Sequence, residues 1–155
     1  MRAVIQRVRS AAVDILDATS QYRSGEIGAG VMVLLAVENG DTVDDAQWLA
    51  AKIAALRIFE DSDEKMNLSL KDVDGQALVV SQFTLYGNTR KGSRPSFNRS
   101  AKPDISIPLY EKFCELLEAQ LCKKVPRGVF GAMMNVSLIN DGPVTIIIDS
   151  KNKDL

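Results

Sequence analysis

Apolar and polar positions along this chain change period several times, and each change marks an element. Between Arg2 and Ile15, apolar Ala3, Ile5 and Val8 suggest a first strand that runs into a weaker second stretch. Asp17–Gly28 is polar and holds Gly25 and Gly28, so it predicts no more than a hairpin connection. Gly30–Val37 (GVMVLLAV) is a continuous apolar run of strand length, as expected of a strand covered on both faces. Asn39–Thr42 is a turn that opens a helix. Thr42 is its N-cap, Asp45 completes a capping-box pattern, and Ala46, Leu49, Ala50, Ile53 and Leu56 share one face. Arg57–Glu60 is a short strand candidate, and Met66–Val73 is weakly patterned. Asp74-Gly75 is a turn ahead of Ala77–Tyr86, read as another apolar strand. Leu109, Phe113, Leu116 and Leu117 mark a second helix with Pro108 near its first turn. Val125–Val129 and Met134–Asp149 supply the last strands, and Lys151–Leu155 is a charged tail expected to be mobile. Strands and helices in this order, with no repeat and no linker, predict one α+β domain over residues 1–150.

The run MNVSLINDGPVTIIID at 134–149 is strand-forming on both sides of Asp141-Gly142-Pro143. Proline offers no N–H to a central ladder, and glycine weakens a strand interior. Two readings stand: a plain turn between two strands, or a piece of backbone presented for use.

Composition narrows the chemistry. The 155 residues contain no histidine, which removes Ser-His-Asp and Cys-His catalysis and the usual base near neutral pH. With two cysteines and no histidine, no metal site is expected. Chemistry must use carboxylates, hydroxyls, backbone dipoles or groups brought by the substrate. Cys114 and Cys122, eight residues apart on one predicted helix, cannot bridge each other and read as reduced thiols of a cytosolic protein. The N-terminus lacks a signal-peptide layout, so it reads as mature protein, and no apolar run is long enough to span a membrane. Net charge is −1, which argues against a general nucleic-acid binder. Yet Asn88–Lys102 carries Arg90, Lys91, Arg94, Arg99 and Lys102 with no acidic residue. That loop either holds phosphates or is a solvated surface with a chance excess of charge.

Eight blocks in order carry a resemblance: VIQRV at 4–8, GEIG at 25–28, RIFED at 57–61, KMNLS at 65–69, SQFTLY at 81–86, KGSRPSF at 91–97, FGAMM at 130–134 and NDGPVT at 140–145. Together they resemble the D-aminoacyl-tRNA deacylase family from Met1 to about Ser150. The 14–24 stretch matches poorly and reads as a variable hairpin. Met133 stands where an acidic residue is commoner, which puts an acidic contact there in doubt, and Gly87 replaces the usual alanine with no expected effect.

The resemblance implies a barrel-like, mixed or antiparallel sheet with two main helices, in a homodimer whose active sites lie at the subunit interface. It implies hydrolysis of the ester joining a D-amino acid to the terminal adenosine of tRNA, with no cofactor. It implies a cis Gly142–Pro143 bond that reaches into the partner's pocket, its carbonyls on the substrate's α-ammonium, excluding L-side chains sterically while achiral glycine passes. Arg7 would brace that dipeptide, whereas the residues alone read it as a surface arginine on an edge strand; Met134 belongs with the substrate-binding group. Ser81, Gln82, Phe83 and Thr84 would form the catalytic wall, with N–H groups around Phe83 and Thr84 on the oxyanion. Gln82 either contacts the adenosine or closes a polar gap; Phe83 either stacks on adenine or is core. Arg90, Lys91 and Arg94 would take tRNA phosphates. Either Thr84 is a nucleophile, or the terminal 2′-hydroxyl helps activate water; the missing base favours the second. Two other functions stay open: a non-catalytic RNA-binding module, and a deacylase of the related branch that clears L-alanine, against which the intact SQFTL argues.

Overall fold

A 15-residue strand, β1 (Arg2–Leu16), organises the sheet. One edge pairs antiparallel with β7 (Met133–Asp149), from Arg2 opposite Asp149 to Leu16 opposite Met133. The other edge is shared: the first half pairs with β3 (Gly30–Ala36) and the second with β2 (Gln21–Ile27). β3 pairs in parallel with β6 (Gln76–Ser81), completing a mixed five-stranded sheet. β4 (Phe59–Glu60) and β5 (Met66–Leu68) form a separate ribbon. The helices are α1 (Val43–Ala55) and α2 (Pro103–Leu121). The structure is a computed structural model that describes residues 1–17 and 19–154; Ala18, in the expected variable hairpin, and Leu155, in the tail, lie outside it.

Alternation across the strands builds two cores. Val31, Val33 and Leu35 of β3, with Ala77 and Val79 of β6, join Ala3, Ile5 and the apolar faces of both helices. The opposite faces, Met32, Leu78 and Val80, meet Val8, Ala11, Val13 and Ile27, because the sheet curls on itself as a half-barrel. β3 and β6 are therefore buried on both sides, as the continuous run at 30–37 predicts. α1 also follows its sequence: the Thr42 N–H donates to Asp45 Oδ2 at 2.9 Å in a capping box.

Other expectations change. Asp17–Gly28 contains a real strand, β2, whose polarity reflects an exposed outer edge where only Gly25 and Ile27 are buried. The strand expected to reach Tyr86 ends at Ser81, and Phe83–Tyr86 forms a 3₁₀ turn. α2 starts at Pro103, which lacks the N–H that a first helical residue leaves unused; Pro108 lies inside the helix. Val125–Val129 makes one isolated bridge, Val79 to Arg127, not a strand. The tail is tied down: Lys151 Nζ donates to the Gly40 carbonyl at 2.7 Å, and Lys153 lies 4.7 Å from the Trp48 ring centre. Among the described residues, no helix is long and apolar enough to cross a membrane.

Candidate active site

The parallel strands β3 and β6 end side by side, and a cavity of about 370 Å3 opens at those ends. Leu35, Val80, Tyr110 and Phe130 make its walls apolar, and Met134 closes it from the start of β7. Polar groups sit on one rim, at Ser81 and Gln82. The Gln82 N–H donates to the Leu35 carbonyl at 2.7 Å, carrying the ladder one residue past β6 before the chain turns.

Inside the 3₁₀ turn, the Leu85 N–H donates to the Gln82 carbonyl and the Gly87 N–H to that of Thr84. The N–H groups of Phe83 and Thr84 precede the first such bond and have no partner within the turn. Phe83 lines the cavity yet is 56% exposed, so it is not core; its ring meets Phe97 edge-on at 5.1 Å. Thr84 is exposed beside the cavity, and its Oγ1 accepts a hydrogen bond from Gln82 Nε2. Ser100 Oγ donates to the Phe83 carbonyl at 2.8 Å, and Arg2 donates to that of Leu85 at 3.0 Å. Beneath, Tyr86 is buried between the guanidiniums of Arg2 and Arg99, 4.8 and 5.2 Å from its ring centre. Burial, then the nearby carboxylates of Asp149, Asp41 and Glu38, hold its phenol far above the ordinary range. It anchors the turn as a neutral group. A Cβ on Gly87 would lie 3.0 Å from the Thr84 carbonyl oxygen, so an alanine there would need this turn to shift slightly. Burial also pushes the Cys114 thiol up to about 12, which leaves no thiolate there near neutral pH.

The Gly142-Pro143 segment is not a turn between strands. β7 pairs with the same partner in the same direction on both sides of it: Gln6 faces Thr145, and Val8 faces Asn140. Over that interval β1 contributes Arg7 and β7 contributes residues 141–144, so the dipeptide loops out between two stretches of the same ladder. The peptide is cis, and Gly142 has φ of 116°. Both residues are exposed, and neither lines the cavity of their own chain.

Arg7, 5% exposed, holds the base of the loop. Its Nη1 donates to the Ile58 carbonyl at 2.6 Å and its Nε to the Asp141 carbonyl at 3.2 Å. The contact therefore falls on the residue before Gly142. Two neighbours of Arg7 also hold the loop. Arg9 Nε donates to Asp141 Oδ1 at 3.1 Å, and Gln6 Oε1 accepts from both Asn140 Nδ2 and Thr145 Oγ1. Only the position of Gln6 and Arg9 on either side of Arg7, opposite a strand break, could have pointed to them.

The basic loop forms a third group. Arg90, Lys91 and Arg94, with Asn88 and Ser96, line an exposed hollow of about 510 Å3. Among the described residues these three cations form no ion pair, whereas Arg99 binds Glu38 at 2.5 Å. The structure thus gathers Ser81, Gln82, Phe83 and Met134 at one cavity with Thr84 beside it. Arg7, Gly142 and Pro143 stand together elsewhere, and the three cations stand apart from both.

A family model described as D-Tyr-tRNA(Tyr) deacylase matches residues 4–149. The chain is 55% identical over 154 residues to the D-aminoacyl-tRNA deacylase of Porphyromonas gingivalis, covering 99% of this chain and 100% of that one. It is 54% identical, with the same coverage, to that of Flavobacterium psychrophilum. Among solved structures, the c-Myc DNA Unwinding Element Binding Protein matches with a TM-score of 0.88 and 36% identity, over 96% of this chain and 98% of that one. A probable eukaryotic D-amino acid tRNA deacylase shares the fold at a TM-score of 0.80 and 22% identity, with the same coverage. A match over nearly the whole length, to relatives more than half identical, places the chain in the D-Tyr-tRNA(Tyr) deacylase family.

Proposed function

We propose that this chain is a D-aminoacyl-tRNA deacylase that hydrolyses the ester and releases free tRNA and the D-amino acid. The observation that carries this reading is an apolar cavity whose polar rim is made of backbone and uncharged side chains, in a chain without histidine. An aminoacyl ester is activated enough that positioning and oxyanion stabilisation suffice for its hydrolysis. The N–H groups of Phe83 and Thr84, unpaired within the turn, take the developing oxyanion. Ser81 and Gln82 border the same rim, Met134 closes the pocket around the substrate, and the exposed ring of Phe83 offers a stacking surface for the terminal adenine. The attacking water is activated with help from the terminal 2′-hydroxyl of the tRNA. Thr84 orients the substrate; it is not a nucleophile, because its Oγ1 is bound by the Gln82 amide, which cannot take up its proton.

Chirality is read by backbone. Gly142 and Pro143 stand outside their own chain's cavity, and in a homodimer they enter the partner's. Their carbonyls receive the α-ammonium group, with Arg7 bracing the loop from below. An L-side chain would collide with this backbone, whereas a D-side chain points away and glycine has none. Arg90, Lys91 and Arg94 bind tRNA phosphates in the cytoplasm.

D-Tyr-tRNA, L-Tyr-tRNA and L-Ala-tRNA separate the alternatives. Turnover of the D-ester alone supports the proposal. Binding without turnover supports an RNA-binding module, and turnover of L-Ala-tRNA supports the related branch. Within the mechanism, Thr84→Ala keeps most activity, while a 2′-deoxy terminal adenosine loses at least about a hundredfold. The reverse pattern would make Thr84 the nucleophile.

A further inference from the structure

The loop at 141–144 has two stems, and one side-chain atom joins them. Opposite Arg7 the β1–β7 ladder is interrupted: it resumes at Gln6–Thr145 on one side and Val8–Asn140 on the other. Those two pairs bring the stems near each other, but none of residues 141–144 between them is paired to β1. Gln6 Oε1 accepts a hydrogen bond from Asn140 Nδ2 at 3.2 Å, on one stem, and from Thr145 Oγ1 on the other. A carbonyl oxygen has two lone pairs, and both are used. Successive residues of a strand point to opposite faces. Arg7 therefore grips the loop from the buried side through the Asp141 carbonyl, while Gln6 closes it from the half-buried outer side.

We infer that Gln6 is a positioning residue for chiral selection: its amide oxygen clamps Asn140 to Thr145 and so fixes the width of the loop that carries Gly142 and Pro143. This rests on the reading of that dipeptide as the selector. Exclusion by backbone works only if the backbone cannot yield. A slack loop would widen and admit an L-side chain, and its carbonyls would drift from the α-ammonium of the D-substrate. Arg7 does not replace the clamp, because its contact is with Asp141, inside the loop, and not with both stems.

Two substitutions of similar length isolate the acceptor. Gln6→Met keeps bulk and removes both hydrogen bonds, whereas Gln6→Glu keeps an acceptor oxygen for the same two donors. The readout is the ratio of kcat/KM for D-Tyr-tRNA over L-Tyr-tRNA, with a thermal melt beside it to confirm folding. Gln6→Met is expected to lower that ratio by about tenfold or more with a near-native melt, and Gln6→Glu to stay within about threefold of the native ratio. Thr145→Val should lower the ratio in the same sense, and adding it to Gln6→Met should cost less than the sum of the two. A native ratio in Gln6→Met, or a Gln6→Glu as defective as Gln6→Met, overturns the clamp. Gly142→Ala (Pro143→Ala if that chain does not fold) shows which idea failed. A lowered ratio there beside a native ratio in Gln6→Met overturns the role of Gln6 alone. Native ratios in both overturn the selector reading together with it.

Discussion

Arg7 occupies a slot that strand alternation assigns to the core, in phase with buried Met1, Ala3 and Ile5. Burying a guanidinium there is costly unless its donors are satisfied. The Ile58 and Asp141 carbonyls do this, helped by the Asp141 carboxylate at 3.3 Å. The need to satisfy Arg7 thus helps hold residue 141 in place, and Gly142 follows from it. A Cβ on Gly142 would lie 2.8 Å from Arg7 Nη2, on backbone whose positive φ disfavours any side chain. Gly142→Ala is therefore expected to cost about 1–3 kcal/mol of stability in a denaturant melt. Displacing the loop should also lower D-ester hydrolysis at least about a hundredfold. Native hydrolysis in that variant would remove the dipeptide from the reaction. The burial of Arg7 was readable from the odd-numbered alternation, although the strand reading stepped from Ile5 to Val8. The role of Gln6 was not readable, because its partners lie 134 and 139 residues away and only the register brings them close.

Elements with a full burial pattern were legible, and those without were not. β3 shows as an unbroken apolar run and α1 as a capped, one-faced helix because tertiary packing and local preference agree there. β2 was missed because an edge strand with one exposed side has little apolar signature. The turn at 83–86 was missed because Phe83, Leu85 and buried Tyr86 continue the apolar run of β6 while the backbone turns. The junction of β7 and α1 leads to a pH dependence. For Asp149, burial acts to raise the pKa, but the N–H groups of Lys151 and Asn152 and the Arg2 guanidinium outweigh it and bring it below 3.8. For Asp45, burial is likewise outweighed by the Ser150 hydroxyl and the Thr42 N–H. Carboxyls lowered by folding stabilise the protein above their unfolded value, and that contribution is lost as pH falls through the folded value. The melting temperature should thus be insensitive to these two groups near neutral pH and fall below about pH 4. Asp149→Asn should be less stable than the native chain at pH 7 and lose less on acidification. Parallel melting curves from pH 7 to pH 2 would show that Asp149 does not contribute.

At the scale of the whole molecule, two features are incomplete in one chain. Among the described residues β7 pairs only with β1, which leaves its other edge open, and its Met133, Ile139 and Ile147 are 73, 58 and 46% exposed. An exposed apolar edge strand is a surface that proteins normally cover. Gly142 and Pro143, meanwhile, follow an Asp141 carbonyl held by Arg7, yet do not line their own chain's cavity. The proposed two-fold dimer would meet both, since each chain's loop would complete the other's cavity. Mixing two inactive chains tests this directly. One carries Met134→Trp, which fills the cavity and leaves the loop intact; the other carries Gly142→Ala, which damages the loop and leaves the cavity intact. If the loop serves the partner, each mixed dimer has one site with two damaged parts and one with two native parts. Random exchange makes half the dimers mixed, so D-ester hydrolysis should recover to about one quarter of native. If the loop serves its own chain, every site in the mixed dimer keeps one damaged part, and mixing restores nothing. Recovery that rises with the mixed fraction, measured on separately tagged chains purified in tandem, would assign the selector to the neighbouring subunit.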